Sequence, residues 1–446
     1  MYWLAAAIFA ALYLLIVSER VDKTKAALLA GVSMLGVGIL SQEEAFYSER
    51  LGIDYNVIFL LIGMMILVGI MGKSGAFEFT AIWFAKLAGG SPKRILVVFV
   101  VFTAVASALL DNVTTVMLLA PVTLLIADEL EIDPVPFLIA EALASNIGGT
   151  ATLIGDPPNI MVASKARFTF LDFIVHLAPA VAVMLIALVL VVLVVFGNSL
   201  NVSEKHRARV MAMNPSKLIK DRTLVISSSI VLSITILGFA LHSVVHIEPA
   251  TIALVGAATL LFISKVDAHE ILGEKIEWGT IFFFIGLFLT VGGIVKVGLV
   301  GDLSSFVVEA TGPTKDDMFN TAIAMLWFSG IASAVVDNIP YVATMIPLVQ
   351  DTANSVFHQG ALDPSALPLA TLHQPVLAPV WWCLALGACL GGNGSPIGAS
   401  ANVVVIATAQ KAGHTISFLR FCKFGVPVML MTLAIGTVYI WVRYYV

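Results

Sequence analysis

The sequence predicts an all-α integral membrane protein of two inverted-topology repeats, each with about five transmembrane helices, a re-entrant hairpin and one interrupted helix. Three observations predict it. Of 446 residues, 59% are hydrophobic and 12% charged, against about 25% charged in soluble domains, and the mean hydropathy is +0.99. The apolar runs approach the roughly 20 residues of a transmembrane helix without strand-like alternation, which selects helices over a barrel. Finally, polar, helix-breaking motifs of the first half return in the same order in the second.

Residues 1–197 read as the first transmembrane repeat, 198–222 as a basic cytoplasmic linker and 223–446 as the second repeat. The opening apolar run, 2–18, lacks the charged flank and small-residue cleavage site of a signal peptide and is read as the first span. The second span is expected at 25–41 and the third at 55–72, with the acidic residues Glu43, Glu44 and Glu49 between them. Residues 76–88 suit a short interfacial helix. The long apolar stretch 95–127 is broken at its centre by Asp111-Asn112, the pattern of a hairpin that enters and leaves on one side. Residues 134–165 form the interrupted helix and 171–197 a clean span. Lys205, Arg207, Arg209, Lys217, Lys220 and Arg222 mark the linker.

The interruption is the centre of the pattern. Residues 147–159 carry Gly148, Gly149 and Gly155, which loosen the backbone, and Pro157-Pro158, which removes two amide donors. Thr150, Thr152, Asp156 and Asn159 add polar side chains to the same stretch. Unwound backbone at membrane depth is tolerated where it is buried in protein or lines a wet cavity. Residues 390–402 repeat the motif, with Gly391, Gly392, Gly398 and Asn402 opposite Gly148, Gly149, Gly155 and Asn159. Paired interruptions of this kind point to a transporter's binding site.

The rest of the chain is duplicated in register. Ala106-Ser107-Ala108 through Asp111-Asn112 returns as Ala332-Ser333-Ala334 through Asp337-Asn338 at an offset of 226, and Pro121 returns as Pro347. Ile58-Phe59 through Lys73 and Gly75 returns as Ile281-Phe282 through Lys296 and Gly298 at an offset of 223, and Gly31 returns as Gly256. The offset of 243 at the second interruption reflects a longer loop, expected at 351–378. An odd number of spans per repeat inverts the second relative to the first. With both termini outside, Arg20, Lys23, Lys25, Lys73, Lys86, Lys93, Arg94 and the linker lie inside, and the outer loop 351–378 has no Lys or Arg. Lys165, Arg167 and Lys315 fall on the other side.

Acidic residues within apolar spans mark ion, proton or solute pathways. Asp111 and Asp337 are retained by the duplication and stand at the hairpin tips, where helix capping is a compatible second role. Asp156 has Ala399 as its counterpart, so it either carries a proton or solute or begins the helix that Pro157 starts. Glu141 has no counterpart and reads as structural. Candidate solute ligands are Asn112, Thr114, Thr115, Asn146, Thr150, Thr152, Asn159, Asn338, Asn393, Ser395 and Asn402, a set suited to a small polyol-like solute. The second tip carries Pro340 and Tyr341 in place of the two threonines, so the halves are chemically unequal. Cys383, Cys389 and Cys422 match no metal or disulfide pattern, and the eight histidines form no metal motif. With no nucleotide fingerprint, nucleophile–base pair or basic tract, no cofactor, metal, enzyme activity or nucleic-acid partner is expected.

At these residues the chain resembles the arsenite permease and P-protein branch of the ion transporter superfamily. Asp111-Asn112-Val113-Thr114-Thr115 with Pro121 is similar to that branch's hairpin, and Ala144 through Asn159 to its broken helix. The resemblance implies two inverted repeats and secondary transport by an elevator-like motion. Dicarboxylate and citrate relatives carry Ser-Asn-Thr at the tips, whereas here the tips read Asp-Asn-Val and Asp-Asn-Ile. A fixed negative charge there disfavours an anionic solute. The expected solute is therefore arsenite or antimonite as the neutral trihydroxide, exported with protons at Asp111, Asp337 and Asp156. Sodium–proton antiport by the same aspartates, or an anion channel of the P-protein type, is the alternative. Expected partners are the lipid bilayer, a second copy of the chain and a separate ATPase subunit, at the cell membrane.

Overall fold

The computed structural model describes residues 1–18, 20–197, 200, 202–364 and 367–446. Residues 198, 199 and 201, within the predicted linker, and 365 and 366, within the predicted loop 351–378, lie outside the described residues. The first repeat comprises α1 (Tyr2–Ser18), α2 (Lys23–Gly36), α3 (Gln42–Tyr47), α4 (Tyr55–Lys73), α5 (Ala76–Leu87), α6 (Pro92–Leu109), α7 (Asn112–Leu130), α8 (Val135–Gly149), α9 (Pro157–Ala166) and α10 (Phe170–Phe196). After α11 (Glu204–Ala212), the second repeat runs through α12 (Arg222–Val245), α13 (Pro249–Ile263), α14 (Ala268–Glu270), α15 (Trp278–Lys296), α16 (Leu299–Thr311), α17 (Phe319–Val335), α18 (Asn338–His358), α19 (Leu369–Leu372), α20 (Ala378–Gly391), α21 (Ser400–Lys411) and α22 (Phe418–Tyr444). Among the described residues, seven helices are long and apolar enough to cross a membrane: α4, α6, α7, α10, α12, α15 and α22.

Local chemistry sets the element ends. Ser41 with Glu44, and Thr169 with Asp172, form capping boxes at the starts of α3 and α10. Asp111 and Asp337 cap α7 and α18. Interior prolines recur in equivalent helices, Pro121 and Pro347 in the hairpins and Pro179 and Pro427 in α10 and α22.

The repeats interlock. Helix α2 of the first packs on α15 of the second, and α13 on α4. Small residues allow the close approach: a Cβ on Gly31 would lie 2.7 Å from the Gly286 carbonyl oxygen, and one on Gly63 would lie 2.8 Å from Ala253. The hairpin α6–α7 packs on α8 and on α21, and the hairpin α17–α18 packs on α20 and α9.

The hairpins enter from opposite ends. At one end, Arg209 on α11 pairs with Glu131 at 2.7 Å and Arg420 with Asp133 at 2.8 Å, both at the open end of α6–α7. At the other, Arg50 pairs with Asp363, beyond α18, at 2.9 Å, and Lys296 with Glu44 at 2.6 Å. Lys296 and the Ser41 amide hold the Glu44 carboxyl below its usual range. The two termini share this second end, where Tyr2 bonds Asp302 at 2.5 Å and Tyr444 meets His176 at 2.5 Å.

Two expectations are corrected. Gly148 and Gly149 are not in the break, because α8 runs through Gly149; Gly391 likewise ends α20 and Gly392 sits in a 3-10 turn. Their purpose is close approach, since a Cβ on Gly148 would lie 2.1 Å from the Ala104 carbonyl oxygen and one on Gly391 2.4 Å from that of Gly330. The loop expected from 351 begins later, because α18 continues to His358 and stops where Gln359 turns left-handed. The linker is itself folded: α11 and a 3-10 turn at Pro215–Leu218 are held by Lys86 Nζ donating to the Met213 carbonyl at 2.8 Å and by the Lys220 amide donating to the Ser74 carbonyl at 2.9 Å.

Candidate solute and ion site

Each broken helix is closed by its own asparagine. Asn159 Nδ2 donates to the carbonyls of Gly149, Thr150 and Thr152 at 3.3, 3.2 and 2.9 Å. Asn402 Nδ2 donates to those of Gly392 and Ser395 at 2.8 and 2.9 Å. Carbonyls freed by unwinding have no lipid partner, so a side-chain amide must supply one.

The hairpins are bolted to the broken helices by matching hydroxyls. Ser107 donates to the Ser145 carbonyl at 2.7 Å, and Ser333 to that of Ala388 at 2.6 Å. Thr152 donates to the Ala108 carbonyl and accepts from the Gly155 amide at 3.2 Å. Ser395 does the same with Ala334 and Gly398 at 2.6 and 3.1 Å. Thr150 bonds back to the Asn146 carbonyl at 2.8 Å. The two repeats then meet at their centre: Asn146 Nδ2 donates to Asn393 and Asn402, both at 3.0 Å, and Asn112 Nδ2 donates to Asn146 Oδ1 at 3.3 Å.

Of the predicted ligands, Asn146, Thr150, Thr152, Asn159, Asn393, Ser395 and Asn402 are thus engaged in this internal network. Thr114 and Asn338, with Asn112 at the edge of that network, line a cavity of about 40 Å³ at the hairpin tips, together with Asp111 and Asp156. At about 10–15 Å³ per water it has room for roughly three water molecules. Asp111 Oδ1 accepts from the Thr114 amide at 2.7 Å, so the predicted cap is present beside the cavity. Asp156 precedes α9 without capping it; its two oxygens face Asn338 Nδ2, each at 3.4 Å. Thr115 is buried outside the cavity lining, and Thr115 Oγ1 and Asn112 Oδ1 are buried without a hydrogen-bond partner.

Asp337 is not the free carboxylate its symmetry with Asp111 suggests. Lys23 Nζ sits 2.6 Å from Asp337 Oδ2 and 2.8 Å from Ser400 Oγ. The sequence reading also missed Glu277, Thr280 and Ser400, which line the cavity. A signal existed for Glu277: at the offset of 223 its counterpart is Asp54, so both repeats begin the equivalent helix with an acid. Glu141 lies away from the cavity, bonded to Thr123 at 2.6 Å.

A family model described as "Citrate transporter" matches residues 13–373. An uncharacterized transporter of Mycobacterium tuberculosis (strain ATCC 25618 / H37Rv) is 47% identical, over 99% of this chain and 98% of its own. The P protein of Mus musculus is 31% identical over 99% of this chain, which spans 60% of that longer protein. The crystal structure of the YdaH transporter of Alcanivorax borkumensis, described as having an unusual topology, shares the fold with a TM-score of 0.54 at 13% identity, over 87% of this chain and 85% of that one. The chain is a multi-pass membrane transporter and belongs to the citrate transporter family of the ion transporter superfamily.

Proposed function

We propose that this protein is a proton-coupled secondary transporter that exports a small neutral polyhydroxyl solute, arsenite or antimonite, with Asp111 and Asp156 taking and releasing the coupling proton. The observation that carries this reading is the charge of the cavity: Asp111, Asp156 and Glu277 line it, and among the described residues no lysine, arginine or histidine does, the nearby Lys23 ammonium being paired with Asp337. Low-dielectric walls focus such a field, so an anion is repelled and a proton or cation attracted. Citrate, named for the family, is an anion and is not carried over to this chain; the same field disfavours an anion channel. A neutral trihydroxide escapes the repulsion and finds donors and acceptors in Asn112, Thr114 and Asn338. Cys383 and Cys389 are fully buried and Cys422 lies apart, so the solute is held through its hydroxyls rather than by thiolates.

The hydroxyl bolts between hairpin and broken helix support movement of each pair as one body against the α2–α15 and α4–α13 scaffold, an elevator-like motion. The basic residues of the linker end support placing that end in the cytoplasm and both termini outside the cell membrane. The test is arsenite flux in proteoliposomes under an imposed pH gradient. Accumulation that collapses with the gradient is expected; no movement of arsenite or antimonite by folded protein overturns the solute assignment.

A second reading, sodium–proton antiport, is favoured by the unpartnered oxygens of Asn112 and Thr115 in the first turn of α7, next to Asp111. Sodium-dependent pH changes in the same vesicles, without arsenite, would select it.

A further inference from the structure

The duplication builds two equivalent carboxylate positions, yet the structure treats them differently. Asp111 and Asp337 each cap the second arm of a hairpin and each stand beside the restart of a broken helix. Asp111 faces the cavity with no cation on it. Asp337 carries the Lys23 ammonium, which also bonds Ser400, the first residue of α21.

Lys23 is built into this place. It is the first residue of α2, behind the Asp22 cap, and α2 is held against α15 by the Gly31–Gly286 contact. The ammonium also lies over the Phe283 ring of α15, 5.2 Å from its centroid. The Asp337 side chain is 8% exposed and that of Lys23 33%. Among the described residues no such cation pairs with Asp111: the stretch equivalent to the start of α2 reads Ile247-Glu248-Pro249-Ala250, with an acid and no base.

We propose that the Lys23 ammonium is a tethered stand-in for a coupling ion at Asp337, so that only the first repeat's carboxylates load and unload in each cycle. Lys23 is thereby a specificity-determining residue that fixes how many ions move per turnover. This rests on the coupling role given above to Asp111.

The test compares Lys23→Gln, Asp337→Asn and the double variant Lys23→Gln/Asp337→Asn with the wild type, in detergent and in proteoliposomes. Stripping a nearly buried acid of its partner is strongly unfavourable, so Lys23→Gln is expected to lower Tm and to cut flux at least about tenfold. Its residual turnovers are expected to carry one more elementary charge, read as charge moved per solute on a solid-supported membrane. The double variant replaces a neutral pair with a neutral pair; an asparagine at 337 retains the oxygen that caps α18. It is expected to recover Tm, flux to within about twofold, and the wild-type charge per turnover. A double variant as impaired as Lys23→Gln overturns the proposal, and so does a Lys23→Gln variant with wild-type flux and charge. Wild-type flux is the control. Its absence counts against the solute assignment alone, and recovery of Tm in the double variant then decides on Lys23.

Discussion

Asn146 and Asn402 meet across the interface of the two repeats, Nδ2 to Oδ1 at 3.0 Å, while the Asn402 amide closes the break in its own helix. Cys389, at the position equivalent to Asn146, makes the reciprocal contact, Sγ to Asn159 Oδ1 at 3.5 Å. Asn159 and Asn402 therefore each serve both repeats. Asn402→Ala would strand two buried carbonyls and one donor of Asn146. Unpaired buried groups cost about 1–3 kcal/mol each, so a large fall in Tm in detergent is expected, with loss of flux. An unchanged Tm would show that the break holds without its asparagine.

Asp111→Asn separates capping from coupling. The asparagine oxygen can still accept from the Thr114 amide, now 2.7 Å from Asp111 Oδ1, so Tm should stay near that of the wild type. A carboxamide does not exchange a proton. Proton-driven flux should fall about 10²-fold, the scale of losing a positioned proton carrier. Asp156→Asn should do the same, because its carboxylate makes no cap. Wild-type flux in both variants would remove the coupling proton from these residues.

Gly148→Ala tests the bolt between hairpin and broken helix. The added Cβ would lie 2.1 Å from the carbonyl oxygen of Ala104, backbone that cannot step aside without moving α6. A cost of about 1–3 kcal/mol is expected from such overpacking. Gly36→Ala is the control, because nothing lies within 4 Å of its added Cβ. Equal Tm for the two variants would deny the close approach its structural role.

The duplication is legible in the sequence because its motif residues are pinned by bonds that both repeats need. Ser107 and Ser333, Thr152 and Ser395, and Asn159 and Asn402 each make the same contact twice. Other features leave ambiguous traces. A glycine required for a turn and one required for close packing look alike, so Gly148 and Gly391 read as part of a break that begins after them. Lys23 reads as an ordinary loop charge, since its partner Asp337 is 314 residues away. Glu277 stands out in no motif of the sequence, and the packing of α15 beside the first hairpin's tip makes it part of the cavity.

Asp54 and Glu277 are equivalent acids with opposite surroundings, and this asymmetry predicts which end of the cavity is open. Asp54 Oδ2 accepts from Ser164 Oγ at 2.7 Å and pairs with Lys165 at 3.1 Å, tying α4 to α9. Lys165 also donates to the Glu49 carbonyl at 3.0 Å. Glu277 bonds Thr280 at 3.1 Å and lines the cavity with it and Ser400. Access is therefore expected from the Glu277 end, the end that carries the linker. In a Cys422→Ser background, Thr280→Cys should react with a membrane-impermeant thiol reagent added on that side and not on the other. Adding Asp54→Ala should release α9 from α4 and make a second reporter, Ile160→Cys, reactive from the opposite side. Equal labelling of Thr280→Cys from both sides would mean that the Asp54–Lys165 contact closes nothing.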